Sequence, residues 1–342
     1  MNRELVRKVA DSVLYEGYML YPYRPSAIKN RQRWSFGILY PADYAEVVKG
    51  TERSRMHSEC LVQGKAEASI QIELRFLHLR ARQVFRPANG RFEALPSLSV
   101  DGRLIESWDE ATERSASFQL SLNTATQDFA FNFAGTSESE FLRDSSGKVA
   151  GRMSYTQQQI QGTVSARAEG ILDGIWKLSI DAFNTTPLAG GARDRNAALI
   201  GSLLSTQMLL IAAGAEFVSL LDPPEDLRAA VAACSNIGNF PVLLGCAGEH
   251  EMMLCSPILL YDYPQIAPES AADFYDGTEI DEMLTLRVMT LTDQEKSEMR
   301  GADDHVRTLL ERTEASAREH LMSTHGAIRS LRHVSEVREK SR

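Results

Sequence analysis

Paired cysteines are missing from this chain. Its four cysteines, Cys60, Cys234, Cys246 and Cys255, stand far apart, and none belongs to a C-x-x-C pair. That spacing fits reduced, buried thiols better than a disulfide framework. Surplus positive charge is missing as well: 37 Lys and Arg stand against 46 Asp and Glu, a formal charge of −9. Tracking a phosphate backbone needs extra cations, so no nucleic-acid partner is expected. Long hydrophobic runs are also absent. The most apolar stretch, residues 199–221, is broken by Ser202, Ser205, Thr206, Gln207, Gly214 and Glu216, which argues against a membrane span. The opening MNRELVRKVADSV carries charges every few residues and lacks an apolar core of signal-peptide length. Together these absences predict a cytoplasmic protein. There is no P-loop, no G-x-G-x-x-G, no G-x-S-x-G and no H-E-x-x-H, and no repeat at a fixed period. No cofactor is indicated by motif, and the balance favours binding over chemistry.

What is present is enough apolar material for a large core: 43% of 342 residues, with an ordinary 24% charged. Residues 2–15 place Leu5, Val6, Val9, Val13 and Leu14 on one helical face. From about 56 to 184 the pattern switches to period two. Ile70, Ile72, Leu74 and Phe76 alternate with polar neighbours, as do Phe118/Leu120/Leu122, Phe129/Phe131/Phe133 and Trp176/Leu178/Ile180/Ala182. Asp101-Gly102 between two apolar runs predicts a two-residue hairpin. The expected fold class is α+β: a β-rich antiparallel sandwich or open barrel, followed by a mixed α+β part with C-terminal helices. The expected organisation is 1–55, an N-terminal helix and Tyr/Pro segment packing on the body; 56–190, the β-rich domain; 191–325, the α+β part; and 326–342, a flexible tail. Within the third part, residues 203–222 read as two strands turning near Gly214. A helix is expected from Asp222 through Cys234, buried strands over 240–246 and 252–263, a Thr292/Glu295 capping box, and a helix over about 304–321.

The chain is organised around residues 13–34. Four of its ten tyrosines, Tyr15, Tyr18, Tyr21 and Tyr23, fall within nine residues, and Arg24, Lys29, Arg31, Arg33 and Trp34 follow. Pro22 and Pro25 forbid a helix there, so the segment is extended, with Tyr21 and Tyr23 on one side. Two readings compete: rings consumed as packing on the sheet, or rigid aromatic area displayed for a partner. A second segment, Tyr261-Asp262-Tyr263-Pro264, echoes the first in composition, with an acid where Arg24 would find a partner. Metal-like candidates are Cys246, His250 and Cys255, spaced C-x3-H-x4-C, and the acids Asp273, Asp276, Glu279, Asp281 and Glu282. The bland alternatives are core-facing thiols around an exposed turn histidine, and solvated acids at a helix start. His57-x-x-Cys60 falls in a strand, where i and i+3 face opposite sides.

Two phrases, Val13-Leu14-Tyr15-Glu16-Gly17-Tyr18 with Leu20-Tyr21-Pro22-Tyr23-Arg24, and Ser256-Pro257-Ile258-Leu259-Leu260-Tyr261-Asp262-Tyr263-Pro264-Gln265-Ile266-Ala267-Pro268-Glu269-Ser270, resemble a bacterial family found in gene clusters for nickel–iron hydrogenases. The resemblance spans residues from about 9 to 315 and carries no agreed catalytic residues. It implies an accessory or maturation role beside a metalloenzyme. The expectation is therefore a protein that binds a client, a hydrogenase subunit or assembly factor, through Tyr18, Tyr21, Tyr23, Arg24, Tyr261, Asp262 and Tyr263. The alternative is a metal-binding protein or hydrolase-like enzyme using Cys246, His250 and Cys255 or the 273–282 acids.

Overall fold

A computed structural model describes residues 3–15, 36–188 and 194–265, together with residues 292, 293, 296, 300, 307, 310 and 311. One strand, β1 (Arg55–Ala88, 34 residues), is the spine of the sheet. It begins where the alternation begins and runs to the Pro87-Ala88 end of the same pattern. The other strands are β2 (Arg91–Leu95), β3 (Ser97–Val100), β4 (Arg103–Glu106), β5 (Trp108–Ser121), β6 (Gln127–Phe133), β7 (Thr136–Arg143), β8 (Val149–Gln157), β9 (Ile160–Leu172), β10 (Ile175–Asn184), β11 (Leu204–Phe217), β12 (Phe240–Leu243) and β13 (Met252–Ser256). Five of them pair antiparallel with β1 in succession: β10 along 55–63, β11 along 62–77, β5 along 69–82, β8 along 81–85 and β2 along 84–88. Because β11 lies beside β1, a single sheet continues across the expected boundary near residue 190. The Asp101-Gly102 hairpin joins β3 to β4, both turn residues having positive φ as a type I′ turn requires.

Side-chain alternation then assigns the two faces of β1. Its even positions Ile70, Ile72, Leu74 and Phe76 enter the main core with residues from β9, β10, β11 and β13. Its odd positions Leu77 and Leu79 meet a second cluster with Leu14, Tyr40, Tyr44 and Leu199, from outside the sheet. Three helices supply that cover: α1 (Arg3–Tyr15), α2 (Ala42–Val48) and α3 (Arg195–Ile200). Of the apolar stripe expected in α1, Val6, Val9 and Val13 lie, together with Ala10, against Leu209, Val242, Met252 and Leu254, and Leu14 joins the second cluster. At roughly 1.5–3 kcal/mol per buried aliphatic side chain, this docking is what stabilises a helix too short to persist alone. The sheet does not close into a barrel. Among the described residues β5 pairs only with β1 and β6 only with β9. Phenylalanine rings fill the space between them, Phe118 on Phe129 at 5.0 Å and Phe76 against Phe131 and Phe133 at 6.0 and 5.7 Å.

The strands expected over 240–246 and 252–263 are shorter, ending at Leu243 and Ser256, and two further elements differ from expectation. Residues 204–217 form one strand, not two turning at Gly214. Gly214 has φ +76° and lies at the register shift where Ala213 pairs with Ser69 and Ala215 with Gly64. It therefore absorbs a bulge opposite the extra residues 65–68 of β1, which is the other common use of a glycine inside a strand. The helix expected from Asp222 starts later, as a 3-10 turn Glu225–Leu227 continuing into α4 (Arg228–Ala232). The capping-box residue Glu295 and most of 304–321 lie outside the described residues; Leu310 is helical and buried in the second cluster, with Leu14, Leu77 and Leu79.

The edge strand β12 is protected against pairing with other chains. Leu244 N donates back to Met252 O, so Leu243 and Pro241 turn their backbone outward. The outward groups of Leu243 are taken by Asp262, whose Oδ1 accepts from its N–H at 2.7 Å, and by Tyr263 N, which donates to its carbonyl at 2.8 Å. Pro241 has no N–H to offer.

Burial also sets a pH dependence. His78 on β1 is completely buried, and desolvation, helped by Arg114, lowers its pKa from 6.5 to about 4. Between those values the unfolded chain takes up a proton that the folded chain refuses. Stability from this group is thus complete above pH 6.5 and lost as the pH falls to 4, on the order of 3 kcal/mol in total. Denaturation midpoints measured across this window are expected to fall with acidity, and a His78→Leu variant is expected to show a distinctly shallower decline.

Candidate functional site

A groove of about 910 Å³ opens where four distant segments meet: residues 36–40, the start of β1 with the residues before it, the start of α3, and residues 236–240. Its position is fixed from the backbone outward. Leu39 exchanges hydrogen bonds with Leu203 at 2.9 and 3.0 Å, and Tyr40 N donates to Arg53 O at 2.7 Å. Gly37 lies so close to Pro257 that an added Cβ would stand 2.7 Å from the proline Cβ, and its φ of +60° lies in the left-handed region that favours glycine. Its carbonyl accepts from Thr206 N at 2.7 Å. The chain emerging from the Tyr/Arg segment is therefore clamped onto β11 as it enters the groove wall.

On the opposite wall two asparagines tie the 235–239 loop to β1. Asn236 accepts from Glu59 N at 2.9 Å and donates to Glu59 O at 3.2 Å, while Asn239 donates to His57 O at 2.7 Å. Ile237 N and O bond His57 backbone at 2.8 and 3.1 Å. With its backbone held this way, the Ile237 side chain is left 43% exposed in the groove, next to Phe240 at 42%. Such exposure of paired large apolar side chains in a concavity marks a contact surface better than scattered exposed residues do.

The groove is cationic in a protein that is acidic overall. Arg53, Arg55 and Arg195 line it against the single carboxylate Glu52. Arg55 Nε donates to Asp181 Oδ1 at 2.7 Å and its guanidinium lies 5.5 Å from the Phe183 ring. Arg195 Nε donates to the Tyr40 hydroxyl at 3.1 Å; burial pushes that phenol's pKa up, and Arg195 opposes the shift. Arg53 is exposed and, among the described residues, makes no side-chain hydrogen bond or ion pair. Asp194 caps α3, its carboxylate accepting from Asn196 N and Ala197 N, which fixes Arg195 at the helix start.

Beneath the groove His57 Nδ1 lies 2.8 Å from Asp181 Oδ1, and its Nε2 is 3.6 Å from Glu59 Oε1. Burial works against the Glu59 charge, but Ser235 N, Lys177 and Ser179 outweigh it and hold the carboxyl below its ordinary pKa. This network is saturated internally. It braces β1, β10 and the 235–239 loop against one another.

Of the seven residues expected to bind a partner, Tyr18, Tyr21, Tyr23 and Arg24 lie outside the described residues. Tyr261 is 87% exposed. Asp262 and Tyr263 act on the fold: Asp262 accepts from Ser219 and Leu243, and Tyr263, at φ +56°, packs on the main core and meets the His250 ring edge-on. The structure does not bring Cys246, His250 and Cys255 together as ligands. Cys246 is exposed, His250 Nδ1 is 3.0 Å from Phe217 O, and Cys255 is sealed in the core where its sulfur accepts from Ser58 at 3.1 Å. Burial pushes the Cys255 thiol up to about 12 and Cys234 up to about 11, so both are protonated at neutral pH and unsuited to attack or ligation. Among the described residues no three His, Cys, Asp or Glu side chains are grouped to hold a metal ion. The 273–282 acids lie outside those residues. His57 and Cys60 take opposite faces as expected, the first against Asp181 and the second in the core.

Neither family models nor curated proteins give a match to the chain. Among the described residues no helix is long and apolar enough to cross a membrane.

Proposed function

We propose that the protein is a cytoplasmic accessory or maturation factor that binds a protein client, and that the client is a nickel–iron hydrogenase subunit or one of its assembly factors. The observation that carries the binding part is the groove itself: rigidly walled, with Ile237 and Phe240 exposed inside it and Phe36–Tyr40 leading in directly from the Tyr/Pro/Arg segment. Pre-formed walls reduce the ordering cost that a client would otherwise impose. Exposed Leu259 and Tyr261 follow Pro257 out of the groove and extend the same kind of surface. The hydrogenase assignment rests on the resemblance of the two Tyr/Pro phrases. A photo-reactive residue placed at Ile237 in the native host is expected to cross-link to one discrete partner polypeptide; recovery of uncoupled protein alone would count against the reading.

A further inference from the structure

The groove's chemistry narrows the kind of client. We infer that it takes an extended acidic peptide segment carrying apolar side chains, a proposal that rests on the client-binding reading and specifies it. Three arginines and one carboxylate line the concavity, so its local sign opposes that of the whole chain. Arginine suits this role because its planar fork pairs bidentately with carboxylates. The three are not equivalent. Arg55 is already committed to Asp181. Arg195 is oriented by the Tyr40 hydroxyl from the buried side. Arg53, exposed beside Gly238, is the cation with capacity to spare. Between them Ile237, Phe240 and Phe36 supply apolar wall, which a compact inorganic anion would leave unused. Alternating acids and apolar residues would meet both surfaces at once. Binding through the outer edge of β12 is ruled out as the route, because Pro241 and the Asp262/Tyr263 cover block it. Recognition therefore falls to side chains, and to charge first.

The test uses the full-length protein and a fluorescent octapeptide of alternating Glu and Phe, followed by polarisation. Saturable binding is expected. It should weaken about tenfold in Arg53→Gln and in Arg195→Gln, and by a similar factor between ~0.05 and ~0.3 M salt. Arg53→Gln breaks no side-chain hydrogen bond or ion pair among the described residues, so an unchanged melting temperature will show that its loss is local. Equal binding of a peptide with Gln in place of Glu, unchanged affinity in both variants, or no binding would overturn the proposal. So would tighter binding of a single-stranded oligonucleotide or of inorganic phosphate at the same site. If the partner cross-linked from Ile237 is captured equally by Arg53→Gln protein, the acidic preference fails and client binding stands. Peptide binding without any partner in the host would be the reverse case.

Discussion

Replacing Arg75 by alanine is expected to destabilise the protein by about 3 kcal/mol, toward the lower end of what a broken buried ion pair costs. Arg75 is completely buried on β1, yet its position in the alternation is a polar one. Its guanidinium donates to Glu113 on β5 at 2.6 and 3.2 Å and to Asp11 on α1, while Glu73 lies 4.0 Å away. Burial alone would lower its pKa, but the hydrogen bonds to Asp11 and Glu113 overcome that and raise it. One cation thus fastens α1 to the sheet and neutralises a group of carboxylates. Alanine would leave those carboxylates facing one another, with Arg7 near Glu73 as partial relief. Asp11 and Glu113 keep 35% and 33% of their side chains in water, which screens the repulsion and sets the lower figure. Urea midpoints measure the loss. A triple variant, Arg75→Met with Asp11→Asn and Glu113→Gln, is expected to recover at least half, since removing all the charges removes the unpaired ones.

Gly162→Ala is expected to cost about 3 kcal/mol, although alanine normally favours a strand over glycine. Gly162 on β9 pairs with Phe131 on β6 and Asn184 on β10. A Cβ built there collides with the Phe183 carbonyl oxygen and the Phe131 ring. The carbonyl belongs to the sheet backbone and has nowhere to go. The ring packs against Phe76 on β1 and Phe133 on β6, so its displacement loosens the packing of β6 on β1. An aromatic side chain laid over a facing glycine is a known way of filling the space that glycine leaves. Gly170 on the same strand is the control: an added Cβ there meets only the Trp176 ring at 3.6 Å, and Gly170→Ala is expected to change stability by less than about 0.5 kcal/mol.

The sequence carried the strands wherever one face met water. The runs at 118–122, 129–133 and 176–182 and the Asp101-Gly102 hairpin all appear as written. It carried less where both faces are covered. Glu73 and Arg75 read as solvent positions, but α1 lies over them and their charges cancel. Gly214 read as a turn because a glycine between two apolar runs signals either a turn or a bulge, and only the partner strand decides between them. Asp262 read as a docking acid; in the fold its Oδ1 accepts from Leu243 on β12 and its Oδ2 from the Ser219 hydroxyl. The groove was the least legible feature. Arg53, Arg195 and Ile237 are far apart in the chain, and nothing local marks them; β1 pairing brings them to one place. The one hint was the clamp residue Gly37, immediately after the Tyr/Arg segment.

Client docking at this groove is best measured by site-specific photo-cross-linking in the native host, comparing a probe at Ile237 with one at Phe141. Phe141 is 57% exposed on β7 and outside the groove lining, so it controls for mere exposure. One discrete adduct is expected from Ile237 and none from Phe141, with a hydrogenase subunit or assembly factor on mass-spectrometric identification. Equal or diffuse labelling from both positions, or none from either, would contradict client docking here.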